Sequence, residues 1–225
     1  MVAAVHPFLP INAMKGTAMN PPTTLVMSSG GLRSLVATAT VAKTAHPALL
    51  FIHDGRAGEK SYYRAFLDQA DHFEIKQRIE LQLPHLHAGG GGTGGEDRQI
   101  QPLAHLQMLT VAAGQAAKLG TGTLIWPVSV GEHFDTLAAV AESLVLLEHA
   151  VQLETGKSLK ILTPLIELSI RQVVELGRQM QLPWQLTRTC TTAAEKPCEA
   201  CAACLARAEA FAALGFDDPL IAAKV

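Results

Sequence analysis

The chain has 225 residues, which suits one domain, or one domain with a small appendage, and suffices to bury a substantial core. Apolar residues make up 48% and charged residues only 17%, so a disordered chain is excluded. The net charge is −2, with no basic block or acidic tail, which excludes tight sequence-independent binding to a nucleic-acid backbone, since that needs clustered Lys and Arg.

Residues 1–22 carry Pro7, Pro10, Pro21 and Pro22 and no sustained apolar core. They read as an extended or loosely packed leader and not as a secretory signal, and no apolar run reads as long enough to span a membrane. From Thr24 the pattern changes. A short apolar strand, Leu25 to Met27, runs into a small-residue turn, Ser28 to Gly31, and then into a helix with Leu32, Leu35, Val36 and Ala39 at helical spacing. Strand, Gly-rich turn and helix together aim free backbone N–H groups at an anion. Gly30 and Gly31 allow close backbone approach and positive φ, and Ser29 and Ser34 offer hydroxyls to phosphate oxygens. Two glycines alone would also suit an ordinary βα turn.

Ala48 to His53 reads as a buried strand ended by Asp54-Gly55, and a helix is expected over Glu59 to His72. Phe73 to Leu83 alternates and holds a third strand. His85 to Gly95, with six glycines, reads as a mobile surface loop whose His85 and His87 are solvated. It lacks the flanking strand and helix of a phosphate loop. Pro102 to Leu119 reads as a helix with Leu103, Leu106, Leu109 and Ala113 on one face and Gly120 as its stop. Thr123 to Val130 follows as a strand in which Pro127 demands an end or a bulge. Leu137, Val140, Ala141, Leu144, Leu147 and Val151 mark a long amphipathic helix, and Leu159 to Leu162 a last short strand. Ser169 caps a helix with Ile170, Val173, Val174 and Gly177 on one face, Gln172 completing a capping box. Strands alternating with helices imply an α/β fold with a doubly wound parallel sheet, and ligands in such sheets sit at the carboxyl ends of the strands.

All four cysteines fall near the end. Cys190, Cys198, Cys201 and Cys204 are separated by seven, two and two residues. Cysteines confined to one such cluster argue for a local metal site and not for a disulfide framework. Four thiolates satisfy a tetrahedral Zn²⁺ and leave no open position, so the expected role is structural. An iron–sulfur cluster is the rival occupant, because CxxCxxC runs also bind clusters.

Ser29-Gly-Gly-Leu-Arg-Ser34 and the segment Thr189-Cys190, Glu195-Lys-Pro-Cys198, Cys201, Cys204-Leu-Ala-Arg207 to Gly215 together resemble the 7-cyano-7-deazaguanine synthases, the QueC or ExsB-like family of PP-loop ATP pyrophosphatases. The resemblance covers roughly residues 25–215. It implies an adenine nucleotide alpha hydrolase-like sheet over residues 23–186 and a zinc-binding helical lobe, built on the four cysteines, over residues 187–225. It further implies a nucleotide loop of Ser29, Gly30, Gly31, Leu32, Arg33 and Ser34, Zn²⁺ on the four cysteines, and ATP with Mg²⁺ when the protein is catalytically active. The expected partners are a nucleotide and a deazapurine substrate, with a homodimer, no direct nucleic acid and no membrane, in the cytoplasm. The family's reaction activates a deazaguanine carboxylate with ATP, forms an amide with ammonia and dehydrates it to a nitrile. Three of the family's site motifs are altered. Its loop aspartate is replaced by Arg33, its Arg-Asn pair at the middle helix falls on Ala104 and His105, and its Tyr-Gly-Gln-Arg-His is reduced to His53-Asp54-Gly55-Arg56. Glu132-His-Phe-Asp135 loosely resembles the family's acidic substrate-side loop. The alternative reading is a degenerate relative that keeps the fold and the zinc and serves as a binding or partner protein.

Overall fold

The computed structural model describes residues 23–87, 103–131 and 134–222; the leader at 1–22, the glycine run at 89–95 and Pro102 lie outside them. Five strands, β1 (Thr24–Met27), β2 (Pro47–His53), β3 (Arg78–Gln82), β4 (Thr123–Ile125) and β5 (Lys160–Leu162), form one sheet in the order β3-β2-β1-β4-β5. Every pairing is parallel, with Val26 beside Leu49 on one side and beside Ile125 on the other. The order reverses direction between β1 and β4, which makes the end of β1 the topological switch point of the sheet.

The sheet is sandwiched because its strands are apolar on both faces. Val26, Leu49, Phe51 and Ile125 point into one layer, where they meet α1 (Leu32–Ala42), α2 (Glu59–His72), α5 (Ile170–Gln179) and α6 (Ala202–Ala212). Leu25, Met27, Leu50, Ile52, Leu124 and Ile161 point into the other, against α3 (Ala104–Leu119) and α4 (Phe134–Thr155). The two-residue side-chain period of a strand divides the two sets. Each large apolar side chain so buried contributes about 1.5–3 kcal/mol relative to exposure. A last turn, α7 (Pro219–Ala222), is tied down by Arg207, which is 2% exposed and forks to Asp218 at 2.5 and 2.7 Å while also donating to Thr187 Oγ1 at 2.6 Å.

Local signals place most elements where the sequence pattern puts them. The capping box at Ser169 and Gln172 forms, and Gly120 ends α3 in the left-handed region at φ 72°. Four expectations are corrected. The third strand occupies only Arg78–Gln82 of the Phe73–Leu83 segment. α3 starts at Ala104, with Leu103 before it at φ 61° and 71% exposed, so its buried face is Leu109, Ala112, Ala113 and Ala116. The strand expected over Thr123–Val130 ends at Ile125: Trp126 N–H still donates to Leu162 O at 2.9 Å, but Pro127 has no N–H to continue the ladder. Finally, residues 136–155 of α4 are long and apolar enough to cross a membrane by length and composition, although Glu142, Glu148 and His149 interrupt the run. Leu144, Leu147 and Val151 face the sheet, and the Glu148 carboxylate accepts Ile161 N–H at 2.7 Å and Lys160 Nζ at 2.9 Å.

Candidate functional site

A cavity of about 660 Å³ opens at the carboxyl ends of β1, β2 and β4, within the size range of small-molecule sites. Its lining includes Ser28, Ser29, Gly31, Leu32, Arg33 and Ser34 from the turn after β1, Leu50 and Ile52 from β2, Trp126 to Gly131 after β4, and Arg188, Thr189 and Thr191 from the approach to the cysteines. The turn is held in shape by its own atoms. Ser34 Oγ accepts the Ser29 N–H at 2.9 Å and lies 3.3 Å from Ser29 Oγ, so this hydroxyl closes the turn as well as facing the cavity. Gly30 adopts φ 71°, and a Cβ there would stand 2.3 Å from Tyr62 O, so no other residue fits. Gly31, expected to share that freedom, is instead an extended N-cap at φ −86° with no side-chain cap on α1. The first N–H groups of α1 therefore face the cavity without a capping side chain.

The far end of the chain completes the wall. Arg188 N–H donates to Gly30 O at 2.9 Å, Gln69 Nε2 bridges Gly30 O at 3.0 Å and Leu186 O at 2.9 Å, and Tyr62 Oη donates to Thr189 O at 2.8 Å. Burial, partly offset by Arg56 and Arg188, pushes the Tyr62 phenol up to about 12, so it stays a donor at neutral pH. Arg188 is 5% exposed. Its terminal nitrogens donate to the carbonyls of Thr192, Ala194 and Glu195, while its Nε has no hydrogen-bond partner. Ser28 Oγ is buried and likewise without a partner. Arg56 forks to Asp54, which is fully buried. Arg33 stands exposed at the cavity rim, where the surrounding protein still strips enough water to lower its proton affinity, and no carboxylate pairs with it among the described residues. At the opposite wall the His105 ring lies 5.7 Å from Trp126, giving an aromatic surface beside Met108. Ala104 is buried and does not line the cavity.

The cysteines also converge. The Sγ atoms of Cys190, Cys198, Cys201 and Cys204 all lie within 4.8 Å of one another, an arrangement able to hold one metal ion. Cys190 and Cys204 are buried, and Cys201 precedes α6, whose first turn carries Cys204. Burial raises the Cys201 thiol, but the backbone and hydroxyl of Thr191 and the neighbouring Cys204 bring it down to about 6. Cys204, packed against the other sulfurs, is raised by burial and by their charge. Four sulfurs brought this close together form a donor set suited to one metal ion.

All ten site residues expected from sequence are therefore placed: six line or form the turn at the cavity and four form the sulfur cluster. Glu132 and His133, and the side chains of Phe134 and Asp135, lie outside the described residues. His85 is exposed and meets Gln107 at 2.8 Å, away from the cavity lining. Sequence reading misses Ser28, Arg188, Tyr62 and Trp126. The fold, and no local pattern, brings them to the cavity.

Comparison with known proteins follows the same lines. The family model described as "Queuosine biosynthesis protein QueC" matches residues 97–215. The 7-cyano-7-deazaguanine synthase of Chlorobaculum parvum is 25% identical over 222 residues, covering 87% of this chain and 94% of the relative. That of Chlorobium phaeobacteroides is 27% identical over 216 residues, covering 87% and 95%. Among solved structures, the U34-tRNA thiolase NcsA from Methanococcus maripaludis with its [4Fe-4S] cluster superposes with a TM-score of 0.52 at 14% identity, covering 85% of this chain and 65% of the thiolase, a likeness of fold alone. Since the family model accounts for more than half of its residues, the chain belongs to the QueC family.

Proposed function

We propose that the chain is a QueC-type ligase that binds ATP at the turn of residues 29–34 and acts on a 7-carboxy-7-deazaguanine-type carboxylate. The observation that carries this reading is the cavity itself, with bare helix N–H groups and Ser29 at one end and the Trp126 surface at the other, at the switch point of the sheet. In the reaction the carboxylate oxygen attacks the α-phosphorus of ATP and pyrophosphate leaves. Ammonia then displaces AMP to give the amide, and a second ATP carries off the amide oxygen to leave the nitrile. The chain's own residues would hold the departing pyrophosphate on the turn, where the amides of α1 and a guanidinium meet the charge that develops. Trp126 and Met108 would take the flat base, excluding water from the activated carboxyl.

Zinc fits the sulfur cluster. A Zn–S bond of about 2.3 Å in a tetrahedron sets the sulfurs about 3.8 Å apart, compatible with the 4.8 Å limit observed. A cubane cluster seats each thiolate on its own iron and spreads the sulfurs further. Cys190, Cys198, Cys201 and Cys204 would bind the ion, which supplies structural closure and no reactive position.

A second reading, a non-catalytic relative that keeps the scaffold, is favoured by one observation: among the described residues no carboxylate lines the cavity. Purified protein given ATP, ammonia and 7-carboxy-7-deazaguanine separates the two. The ligase reading expects slow, carboxylate-dependent release of AMP and pyrophosphate with nitrile formation. No release above background, with nucleotide still bound, leaves the non-catalytic relative.

A further inference from the structure

We propose that the cavity binds the polyphosphate of its nucleotide directly on arginine and backbone N–H groups, with no divalent cation between them; this rests on the nucleotide reading above.

Three observations converge. The first is charge balance. Arg33, Arg56 and Arg188 line the cavity, and no Asp or Glu does among the described residues. Arg56 is already answered by Asp54, whereas Arg33 and Arg188 pair with no carboxylate among the described residues. The Arg188 guanidinium is buried and held by backbone carbonyls, with no carboxylate against it among the described residues. The second is unmet hydrogen bonding. Arg188 Nε and Ser28 Oγ belong to residues 5% and 3% exposed, both line the cavity, and neither has a partner. Buried polar atoms nearly always find partners, and these two are left without one in residues that line the cavity. The third is the helix itself: α1 opens with an extended Gly31, no capping side chain and no acidic residue in its first turn. Among the described residues, the charged side chains that line the cavity are all guanidinium groups. A hydrated Mg²⁺ needs oxygen acceptors from the protein, typically one or two carboxylates, and repels two guanidinium groups. A bare phosphate is served by all of them, Arg by a bidentate fork.

The test measures calorimetric binding of ATP and of inorganic pyrophosphate in EDTA and in excess Mg²⁺. Affinity that agrees between buffers within about threefold supports the proposal. Binding that appears only with Mg²⁺ overturns it and leaves the nucleotide reading standing. No binding in either buffer overturns both. Arg188 also holds the cysteine loop, so variants are placed at Arg33 and Ser28, each checked for an unchanged melting temperature. Arg33→Gln should weaken pyrophosphate binding in EDTA by about 10–100-fold, the worth of one charge-assisted contact. Arg33→Asp should weaken it further in EDTA and recover part of the loss in Mg²⁺, because the new carboxylate can carry the ion. Ser28→Ala should weaken it by a smaller factor in both buffers. Wild-type affinity for Arg33→Gln in EDTA would remove Arg33 from the site and overturn the proposal.

Discussion

Individual side chains in this protein divide into those answered within the chain and those that are not. His53 belongs to the first kind. Its Nδ1 lies 3.0 Å from Glu59 and its Nε2 3.1 Å from Glu80, whose other oxygen accepts the Tyr63 hydroxyl at 2.6 Å. Burial alone would lower the imidazole, but the two carboxylates outweigh it and raise its pKa above the usual 6.5. A raised pKa means the folded state binds the proton more tightly. The resulting stability is fully present below about pH 6.5 and is lost as pH climbs through the raised value. Melting temperature measured across that window should fall more steeply for the native protein than for His53→Gln; parallel curves would show that the two ion pairs add nothing. Arg188 and Ser28 belong to the second kind, and no sequence pattern announces them. A serine after a strand and an arginine near a cysteine are common, and the burial that leaves these two atoms without partners arises only in the folded chain. The four cysteines are legible because their spacing alone brings sulfurs together.

Elements are legible in the sequence as far as local patterns carry. α2 spans the expected Glu59–His72, α5 starts directly after its Ser169 cap, and the Ser169 capping box forms as written. The same patterns overextend β4 and the start of α3, because what ends them is a missing ladder partner and a left-handed Leu103. A contrast between two helices tests whether packing or propensity governs. A Cβ on Gly177 of α5 would stand 2.3 Å from the Trp184 ring, whereas one on Gly114 of α3 meets nothing within 4 Å. Replacing Gly by Ala gains about 1 kcal/mol of helix propensity at either site, but forcing a methyl into a packed ring costs about 1–3 kcal/mol or more. Gly114→Ala should therefore raise stability and Gly177→Ala lower it, by chemical denaturation. Two changes of the same sign would mean that Trp184 moves aside freely.

For the whole molecule, the sheet order and the sulfur cluster are one construction. Arg188 grips the carbonyls of Thr192, Ala194 and Glu195, within the loop that separates Cys190 from Cys198, and Phe211 of α6 lies in the same apolar layer as Val36 and Trp184. The proposed zinc should be present at one equivalent per chain, and a strong chelator should lower the melting temperature substantially, since losing a structural metal removes folding free energy. A brown protein rich in iron, or a melting curve indifferent to chelation, would refute that assignment.

The wall shared by residues 28–34 and 186–192 has a consequence for biosynthesis. β1 leaves the ribosome before either partner, and the carbonyl of Gly30 meets its two donors only once Gln69 and Arg188 are both in place. A nascent chain halted before residue 188 can hold all five strands and still lack an intact pocket wall, because Gly30 then has only one of its two donors.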